Sequence, residues 1–455
     1  MTQHAPQSLF AIPALERAVP RYTSYPTQPY FSEAVGADSY ARWLSEIRPD
    51  RALNLYLHIP FCRQICWFCA CRTQALGRAA ILRRYVDGLV TEAGRVGALL
   101  TAPLPVTRIS LGGGSPTVLE PADLERLMNA LAAAFPGAAD AVLHAEIDPR
   151  DMNEERCAAF AAAGLGEVSL GVQDIDPAVQ AVIGRGQDHA TTCRAVERLR
   201  ANGVSRVTLD LLYGLPDQTI DRLTRSVEAV VALAPERVAL YGYAHVPWMA
   251  KRQTMIDARR LPGLAMRRAQ ADHARGLLIG AGYVQLGLDH FVRPEDPLAV
   301  AQRDGRIERC FEGYQIADGS VLIGLGASAV GALPQGYVQN EATTARYLSD
   351  VLAGRLTTRR GHALSLEDRV RRAAINQILC AGALDLDGLT RSFGDFAKAV
   401  ADRASALVNN APDGALLAWR GGFTIAPLWR THTRLLAAEF DTYLARGAAR
   451  HSMVI

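Results

Sequence analysis

The segment Leu53–Cys71, LNLYLHIPFCRQICWFCAC, joins an apolar run to a loop that contains four cysteines. The first part, Leu53–Ile59, is a short leucine-rich run that ends at Pro60, which is typical of a buried strand. The cysteines follow with the spacing C-x3-C-x2-C-x-C. Such clustering, in a chain whose other cysteines are scattered, predicts a metal-binding loop at the end of a strand rather than a disulfide scaffold.

The cysteine spacing favours an iron–sulfur cluster. Structural zinc sites use two separated pairs of ligands, and no second pair follows this loop. The thiolates of Cys62, Cys66 and Cys69 fit one corner of a cubane cluster, in which each iron normally has its own cysteine, and they leave one iron open for a small molecule. Cys71 lies too close to Cys69 to be assigned to the same cluster. Zinc and uncoordinated thiols are the alternatives.

The pattern around this loop predicts an α/β fold. From residue 53 to about 245, short β-rich runs alternate with longer amphipathic stretches, which indicates a parallel sheet with helices outside it. Six such units favour a partial (β/α)6 barrel, open at one side, over a closed eight-fold barrel. The six predicted strands are Leu53–Ile59, Thr107–Leu111, Ala141–Ile147, Glu167–Val172, Arg206–Leu212 and Arg237–Tyr243.

Polar residues and glycines recur where these strands end. Barrels of this type carry their chemistry at the carboxyl ends of the strands, so we expect one shared cleft there. Glycines after the second strand would let a ligand approach the backbone closely. Trp67 and Phe68 would pack against an adenine ring or shield the cluster. The polar and glycine residues at these strand ends are Tyr56, Gly112–Gly114, Ser115, Glu146, Gln173, Asp210 and Tyr241–His245, with Arg185 in a loop.

Composition limits the partners and the location. The chain has 455 residues, and its 49 basic and 46 acidic residues give a formal net charge of +3. This charge balance gives no indication that the protein binds nucleic acid or a membrane surface. No signal peptide or membrane-spanning run is visible, so we expect a cytoplasmic protein. No long apolar stripe demands a partner, which favours a monomer.

The chain is long enough for two or three domains. We expect an N-terminal extension over residues 1–50 and the partial barrel over residues 51–290. A loop-rich connecting segment over residues 291–355 would lead into a small, mainly helical C-terminal domain over residues 356–455.

Taken together, these motifs resemble the radical S-adenosylmethionine (SAM) enzymes, and among them the oxygen-independent coproporphyrinogen III oxidases. The resemblance extends over nearly the whole chain. The matching stretches are Arg21–Thr27, Cys62–Cys71, Gly112–Thr117, Glu146–Arg150, Gly171–Asp174, Asp210–Pro216, Tyr243–His245, Asp289–Phe291 and Phe440–Leu444.

The resemblance implies a set of site residues. Cys62, Cys66 and Cys69 would hold a [4Fe–4S] cluster, and Tyr56 and Cys71 are the candidates for catalytic roles. Ser115 stands where the family pattern has threonine and keeps the hydroxyl. One SAM would contact Tyr56, Gly113, Glu146 and Val330. A second SAM would contact Phe68, Gly114, Ser115, Gln173, Arg185, Asp210 and Ala244.

The resemblance also implies the reaction. The substrate would be coproporphyrinogen III, two of whose propionates become vinyl groups to give protoporphyrinogen IX in haem biosynthesis. No side-chain base can remove the unactivated hydrogen, so a 5′-deoxyadenosyl radical made from SAM at the cluster would abstract it, with electrons from a donor such as flavodoxin or ferredoxin. We expect His58 to satisfy a local backbone group. Arg21, Arg303 and Arg309 are candidates for binding the propionates.

A related class of protein gives the main alternative. Haem-binding chaperones share the barrel and the cluster loop but lack oxidase activity. They lack the fourth loop cysteine and have a shortened N-terminal extension. This chain has Cys71 and the Arg21–Thr27 run, both of which favour the enzyme.

Overall fold

The computed structural model describes residues 17–447 and 451–453. It divides into two compact units, each built from separate stretches of the chain. The barrel unit comprises Phe31–Leu261 and Gly319–Ala363, and the C-terminal unit comprises the described residues up to Tyr30, Pro262–Asp318 and the chain from Leu364 onward.

The barrel unit contains the predicted succession of strands and helices. Its six expected parallel strands all form. A seventh strand, which comes much later in the sequence, pairs in parallel with the first. The parallel strands are β1 (Leu53–Ile59), β4 (Val106–Gly113), β5 (Val142–Ile147), β6 (Leu165–Gln173), β7 (Arg206–Tyr213), β8 (Arg237–Gly242) and β13 (Val321–Leu325).

Further strands of the barrel unit extend this sheet or close the cysteine loop. Three antiparallel strands continue the sheet beyond β13, and two short strands lie in the cysteine loop. The antiparallel strands are β14 (Val330–Leu333), β15 (Gly336–Asn340) and β16 (Thr358–Ala363), and the loop strands are β2 (Phe61–Cys62) and β3 (Gln74–Ala75). The strand order in the sheet of this unit is β16-β15-β14-β13-β1-β4-β5-β6-β7-β8.

The helices of the barrel unit follow the strands and bury one apolar face each. In α2 (Ala79–Gly97), for example, Leu82, Tyr85, Val86 and Leu89 are buried while the intervening arginines are exposed. The other helices of this unit are α1 (Ala37–Ser45), α3 (Pro121–Ala134), α4 (Glu154–Ala162), α5 (Pro177–Val182), α6 (His189–Ala201), α7 (Ile220–Ala232) and α10 (Thr344–Leu352).

One face of the parallel sheet is unusually polar. Register places Tyr56 beside Ser110, Ser110 beside His144, and His144 beside Glu167 on neighbouring strands. Closed barrels of eight strands fill this face with bulky branched residues, so a polar face suits a sheet that encloses ligands. The alternate positions, such as Leu55 and Leu57 of β1, are fully buried and form the core against the helices.

The amino ends of the strands carry an ionic cluster on this polar face. Glu167 accepts from Arg108 and Arg206 at 2.7 Å each, and Arg237 lies 3.7 Å away. Burial alone would raise the pKa of Glu167, but the three positive charges hold it at about 2. His144 contacts Ser169 at 3.1 Å, and its Nδ1 atom is buried without a partner in the described part of the chain. Burial and the arginines lower the pKa of His144 to about 3, so the ring is neutral.

The C-terminal unit is mainly helical, with small antiparallel sheets. The capping box of Ser365 and Asp368 begins the helix Leu366–Ala381, and Gly382, with a φ of 63°, ends it. Its helices are α8 (Leu264–Gly280), α9 (Pro297–Arg303), α11 (Leu366–Ala381), α12 (Leu386–Phe393), α13 (Lys398–Asn410) and α14 (Thr433–Ala438). Its strands are β9 (Val284–Leu286), β10 (His290–Val292), β11 (Ile307–Cys310), β12 (Gly313–Ile316), β17 (Ala383–Asp385), β18 (Leu416–Trp419) and β19 (Gly422–Ile425).

The N-terminal motif pairs with the C-terminal tail inside this second unit. The Tyr22 hydroxyl donates to Asp441 at 3.0 Å, and the Tyr30 hydroxyl donates to the Tyr443 carbonyl at 2.6 Å. Tyr25 meets the ring of Tyr443 edge-on, with centroids 5.8 Å apart. Two distant stretches of the sequence that share the family resemblance therefore form one structural element.

The segments differ from the expected division. The barrel segment, expected to extend to residue 290, ends at Leu261, so α8, β9 and β10 belong to the C-terminal unit. The N-terminal stretch 1–50 divides after Tyr30, and residues 1–16 lie outside the described part of the chain. The segment 291–355, expected to be rich in loops, contains β11–β15 and two helices and divides between the units after Asp318. Its strands have only four or five residues, and four of the five contain a glycine, so none forms the longer uninterrupted run that indicates a strand. Among the described helices, none has the length and apolar character needed to cross a membrane.

Candidate active site

The carboxyl ends of β1, β4 and β5 meet at a glycine turn. The Gly113 N–H donates to Glu146 Oε2 at 3.1 Å, which joins the ends of β4 and β5 directly. A Cβ atom on Gly112 would lie 2.9 Å from Glu146 Oε2, and one on Gly113 would lie 2.4 Å from the His58 ring. Gly113 also has a φ of +101°. The turn therefore requires glycine for both space and backbone conformation.

Tyr56 and His58 form a fixed pair on β1. His58 Nε2 lies 3.0 Å from the Arg72 carbonyl, which can only accept, so Nε2 carries the proton. Nδ1 then accepts from the Tyr56 hydroxyl at 3.1 Å. Burial lowers the pKa of His58, in agreement with a neutral ring. His58 thus satisfies a local backbone group, as expected, and it also orients Tyr56.

Two short strands close the cysteine loop. Phe61 and Cys62 pair with Gln74 and Ala75, and the Leu76 N–H donates to the Cys62 carbonyl at 2.9 Å. Arg252 holds the end of the loop, immediately before Gln74, through the Thr73 hydroxyl, at 2.7 Å, and the Thr73 carbonyl. The loop is therefore anchored where its two ends meet.

Cys66 receives two arginine side chains. Arg185 Nη1 lies 3.3 Å from Cys66 Sγ, and Arg150 Nη2 lies 3.8 Å from it. Asp148 holds Arg150 through two hydrogen bonds, at 2.9 and 2.6 Å, and lies 3.8 Å from Arg185. N–H donors to a thiolate stabilise its negative charge, so this arrangement fits a cysteine that binds a cluster iron.

The remaining loop thiols differ from one another. Burial and the neighbouring thiols Cys69 and Cys66 raise the pKa of Cys62 to about 12, so a positive centre is needed to hold these thiolates together. The Cys71 side chain donates to Cys69, which lowers the pKa of Cys69 and raises that of Cys71. The Cys71 N–H also lies 3.4 Å from Cys69 Sγ. Cys71 therefore acts on Cys69 as a donor.

The thiols do not converge on a single point. Within residues 17–447 and 451–453, no three His, Cys, Asp or Glu side chains are grouped tightly enough to hold one metal ion. A cubane places each thiolate on a different iron, so its ligands need not converge in this way. With three cysteines on one anchored loop and two arginines on Cys66, the residues present fit a [4Fe–4S] cluster.

Asp210, Glu146 and Arg185 form a charged group beside the cluster loop. Burial and the charge of Glu146 raise the pKa of Asp210 to about 8, while Arg185 opposes the shift. Arg185 is buried, donates to the Gly171 carbonyl, and has an Nε atom with no partner among the described residues. A buried, unpartnered guanidinium N–H beside a carboxyl group is suited to a ligand that carries both a carboxylate and an amino group.

Gln253 connects two of the predicted cofactor positions, and sequence reasoning missed it. Its Nε2 atom donates to the Phe68 carbonyl at 2.7 Å and to the Ala244 carbonyl at 3.0 Å, and its Oε1 accepts from the Val246 N–H at 2.5 Å. The side chain is fully buried. Its only signal in the sequence is a polar residue shortly after the last barrel strand, which is too common to single out.

The side chains of Trp67 and Phe68 pack against the apolar core of the barrel unit. They lie against an apolar cluster that includes Ile183 and Leu212, and the Trp67 N–H donates to the Ile183 carbonyl at 3.0 Å. A Cβ atom on Gly184 would lie 2.6 Å from the Trp67 ring. This packing of Trp67 and Phe68 against the barrel fixes the orientation of the middle of the cysteine loop.

The turn at Gln173 is stabilised by the buried carboxylate of the next residue, Asp174. Gln173 has a φ of +70°, a conformation that L-residues rarely adopt. Asp174 accepts from the Ser226 hydroxyl at 2.8 Å and from Gln218 Nε2 at 2.7 Å. These contacts over-determine the turn, as is common at binding sites. Ser115, another predicted position, accepts from the Asp148 N–H at 3.1 Å and pairs with Thr117.

The buried carboxylate of Glu92 holds the loop that leads to Val330. Glu92 accepts from the Gly326 N–H, Asn340, Tyr347 and Thr357 at 2.7–2.9 Å. Burial raises the pKa of Glu92 against these four hydrogen bonds. The loop before β14 is thereby fixed beside the end of β1, and a Cβ atom on Gly324 would lie 2.5 Å from the Val330 carbonyl.

The arginines expected to bind propionates have other contacts. Arg309 pairs with Asp289 at 2.9 and 3.1 Å, donates to the Arg21 carbonyl at 3.3 Å, and lies 4.9 Å from the centroid of the Tyr314 ring. Its charge holds the pKa of Asp289 far below its usual range, although burial opposes this. Arg303 donates to the Pro294 carbonyl at 3.2 Å. Arg309 and Asp289 form a largely buried ion pair within the C-terminal unit.

Comparison with known proteins agrees with this site. The family model of the radical SAM superfamily matches residues 56–230. An oxygen-independent coproporphyrinogen III oxidase of Paracoccus denitrificans is 43% identical over 438 residues, which cover 96% of each chain. A protein of the same name from Bradyrhizobium diazoefficiens is 40% identical over 97% of this chain and 98% of its own.

A solved structure shares the whole fold. Coproporphyrinogen III oxidase (HemN) from Escherichia coli, described as a radical SAM enzyme, superposes with a TM-score of 0.88 and 32% identity, over 94% of this chain and 100% of that one. Full-length similarity at this level extends through the barrel and the C-terminal unit alike. This chain therefore belongs to the oxygen-independent coproporphyrinogen III oxidases, which are radical SAM enzymes with a [4Fe–4S] cluster and SAM as cofactors.

Proposed function

We propose that this chain performs its family's reaction at the carboxyl ends of its barrel strands. The reaction is the oxidative decarboxylation, without oxygen, of two propionates of coproporphyrinogen III to vinyl groups, which gives protoporphyrinogen IX. The observation that carries the proposal is the anchored cysteine loop, whose Cys66 receives two arginines beside the Gly113–Glu146 contact. When bound, the cluster and SAM would supply the hydrogen-atom abstraction that no side chain can perform. Each substrate radical would then lose one electron to a one-electron acceptor and release CO2, which leaves the vinyl group.

The protein's own residues would bind and orient these groups. Cys62, Cys66 and Cys69 would each hold one iron. Tyr56, Gly113, Glu146 and Val330 would contact the first SAM, from which Glu146 would accept hydrogen bonds, and the glycine would give close access to the backbone. His58 fixes the Tyr56 hydroxyl in one orientation through their 3.1 Å contact. The packed Trp67 side chain helps to exclude water from the loop.

A second SAM would bind at the site formed by Arg185 and Asp210. The unpartnered Arg185 Nε and the carboxyl of Asp210 match the carboxylate and amino group of the methionine portion. The remaining contacts would come from Phe68, Gly114, Ser115, Gln173 and Ala244. Equilibrium dialysis of the cluster-loaded protein should find two SAM per chain, and Arg185→Met should remove one. A single SAM in the unchanged protein would refute this assignment.

Cys71 would serve catalysis as a thiol rather than as a fourth ligand, because its protonated side chain donates to Cys69. Cys71→Ser should keep the full iron and sulfide content and lower turnover. Loss of iron together with activity would instead make Cys71 a ligand.

An anaerobic turnover assay tests the function itself. The reconstituted protein is mixed with coproporphyrinogen III, SAM and dithionite, and the porphyrins and 5′-deoxyadenosine are quantified by chromatography. We expect protoporphyrin with about two 5′-deoxyadenosines per molecule, since each propionate consumes one radical. Cys62→Ala should abolish both products, whereas Cys193→Ala, a cysteine on α6 outside the loop, should not. A cluster-loaded protein that makes no porphyrin product and retains haem would be a chaperone instead.

The electron source, oligomeric state and location complete the proposal. The cluster must receive one electron at a time, which is suited to a low-potential carrier such as flavodoxin or ferredoxin. We expect a monomer, tested by light scattering during gel filtration, and a cytoplasmic location, tested by cell fractionation.

A further inference from the structure

The neck of the cysteine loop carries an excess of positive charge. Between Cys62 and Val86 the sequence has five arginines and no aspartate or glutamate. All five are exposed. We call four of them, together with one isoleucine, the basic patch: Arg72, Arg78, Ile81, Arg83 and Arg84. The fifth, Arg63, forms ion pairs with Glu120 at 3.2 Å and Asp151 at 3.8 Å.

The arginines of the basic patch lack counter-charges. Among the described residues, no hydrogen bond or ion pair is made by the side chains of Arg72, Arg78, Arg83 or Arg84. Arg72 instead repels Arg360, whose pKa is lowered first by burial and then by this charge. Most other arginines of the barrel unit, such as Arg108, Arg126 and Arg206, have an acidic partner within 4 Å. Solvent alone screens the patch.

The position of Arg78 opposes the stability of α2. Arg78 is the N-cap residue and makes no side-chain cap, and the first turn contains no acidic residue. The N-terminus of a helix carries a partial positive charge, so a cation at the first turn destabilises it by about 0.3–1 kcal/mol. Arg78 is therefore not explained by helix formation, whereas Arg83 and Arg84 lie beyond the first turn, where arginine is a good helix former. An anionic partner at the start of α2 would gain from both the side chains and the helix N-terminus.

The patch lies over the cluster loop and faces outward. The Leu76 N–H, two residues before Arg78, donates to the Cys62 carbonyl at 2.9 Å. Arg83 and Arg84 follow Arg78 by about 8 Å along the helix axis. Leu82 and Tyr85, on the other side of α2, are buried against the barrel. The arginine side of α2 thus points away from the sheet, whose polar face holds the site residues.

Ile81 gives the patch an apolar centre. Its side chain is 43% exposed between charged neighbours. An exposed apolar residue surrounded by arginines is typical of a transient protein interface, in which charge guides the encounter and a small apolar contact completes it.

From these observations, and on the basis of the proposed function, we propose that the basic patch is the docking surface for a small acidic protein that donates one electron to the cluster. One electron leaves the reduced carrier and enters the cluster, and no bond forms or breaks at the contact. A partner seated over Cys62 and the start of α2 would approach the cluster through the loop itself, on the side opposite to the SAM positions.

Charge reversal tests the proposal on the cluster-loaded enzyme. The double variant Arg83→Glu/Arg84→Glu is compared with Arg95→Glu, an exposed arginine of the same helix about 17 Å farther along its axis. Cluster reduction is followed by stopped-flow absorbance with a purified reduced flavodoxin and, separately, with a reduced [2Fe–2S] ferredoxin. Turnover with saturating dithionite is measured in parallel.

We expect the double variant to be reduced by at least one carrier about tenfold more slowly at low salt, with a weaker salt dependence. Arg95→Glu should react as the unchanged enzyme does, and dithionite-driven turnover should be equal in all three proteins. The neutral variant Arg83→Gln/Arg84→Gln should fall between them.

Three outcomes would overturn the proposal: unchanged rates with both carriers, an equal loss with dithionite, or a raised KM for coproporphyrinogen III in the dithionite assay. The last would make the patch a binding surface for substrate carboxylates. Absence of dithionite-driven turnover in the unchanged enzyme would refute the proposed function rather than the docking surface.

Discussion

Arg185 Nη1 lies 3.3 Å from Cys66 Sγ, although the two residues are far apart in the sequence. The same guanidinium donates to the Gly171 carbonyl at the end of β6. The cysteine loop after β1 is thus connected to the loop after β6 by a single side chain. This contact joins the cluster-binding part of the site to the part proposed to hold the second SAM.

Arg150 provides a test of how the protein adjusts the cluster. Replacing it in Arg150→Leu removes a cationic donor 3.8 Å from Cys66 Sγ. Negative charge on the thiolate is then less stabilised, so we expect a lower reduction potential, by on the order of tens of millivolts, since about 59 mV corresponds to a tenfold change for one electron. Redox titration followed by electron paramagnetic resonance measures it. Arg150→Lys, which keeps the charge, should shift the potential less, and equal shifts in both variants would contradict the explanation.

Gly113 should not tolerate a side chain. In Gly113→Ala the Cβ atom would lie 2.4 Å from the His58 ring in a residue with a φ of +101°. We expect SAM affinity to fall at least about tenfold, or 1.4 kcal/mol, as the glycine turn moves. Gly164→Ala is the matched control, because Gly164 has a φ of +88° and nothing within 4 Å of the added carbon. It should lose only about 1–2 kcal/mol of stability through backbone strain. Similar calorimetric SAM affinities in both variants would show that crowding at Gly113 is unimportant.

Gln253 should act as a positioning residue. Gln253→Leu leaves the carbonyls of Phe68 and Ala244 without their donor, at a cost of about 1–3 kcal/mol for each buried group. We expect a lower thermal midpoint and weaker SAM binding, measured by circular dichroism and calorimetry. Thr254→Val, at the adjacent exposed residue, should change neither. A variant that loses stability but keeps SAM affinity would limit Gln253 to a structural role.

His144 should make stability depend on pH. Its pKa is about 3 in the folded protein, against about 6.5 for an unfolded chain. Between these values the unfolded state binds the proton and the folded state does not, so stability falls as pH falls below about 6.5. At pH 5.5 the loss is about 1.4 kcal/mol relative to pH 7.5 and above. In His144→Asn the decrease in thermal midpoint between pH 7.5 and 5.5 should be smaller, and an equal decrease would mean that His144 is already protonated in the fold.

The sequence by itself determined the chemistry of this protein and most of its barrel. Leu53–Cys71 contains both signals, because strand periodicity and cysteine spacing are local properties of the chain. The six predicted strands all form, and the resemblance that named the family needed only the order of short motifs. The role of His58 as partner of a backbone group was also predicted and is confirmed.

The tertiary structure decided which distant residues meet. Val321–Leu325, with the sequence VLIGL, has the composition of a strand, but nothing in it indicates that it pairs with β1, because the pairing partner of a strand is not encoded in its own residues. Gln253 and the arginines on Cys66 are ordinary polar residues until the chain folds, and Arg309 is an available cation until Asp289 neutralises it. Periodicity and spacing are encoded over a few residues, whereas these contacts depend on the geometry of strands and loops far apart in the chain, which only packing fixes.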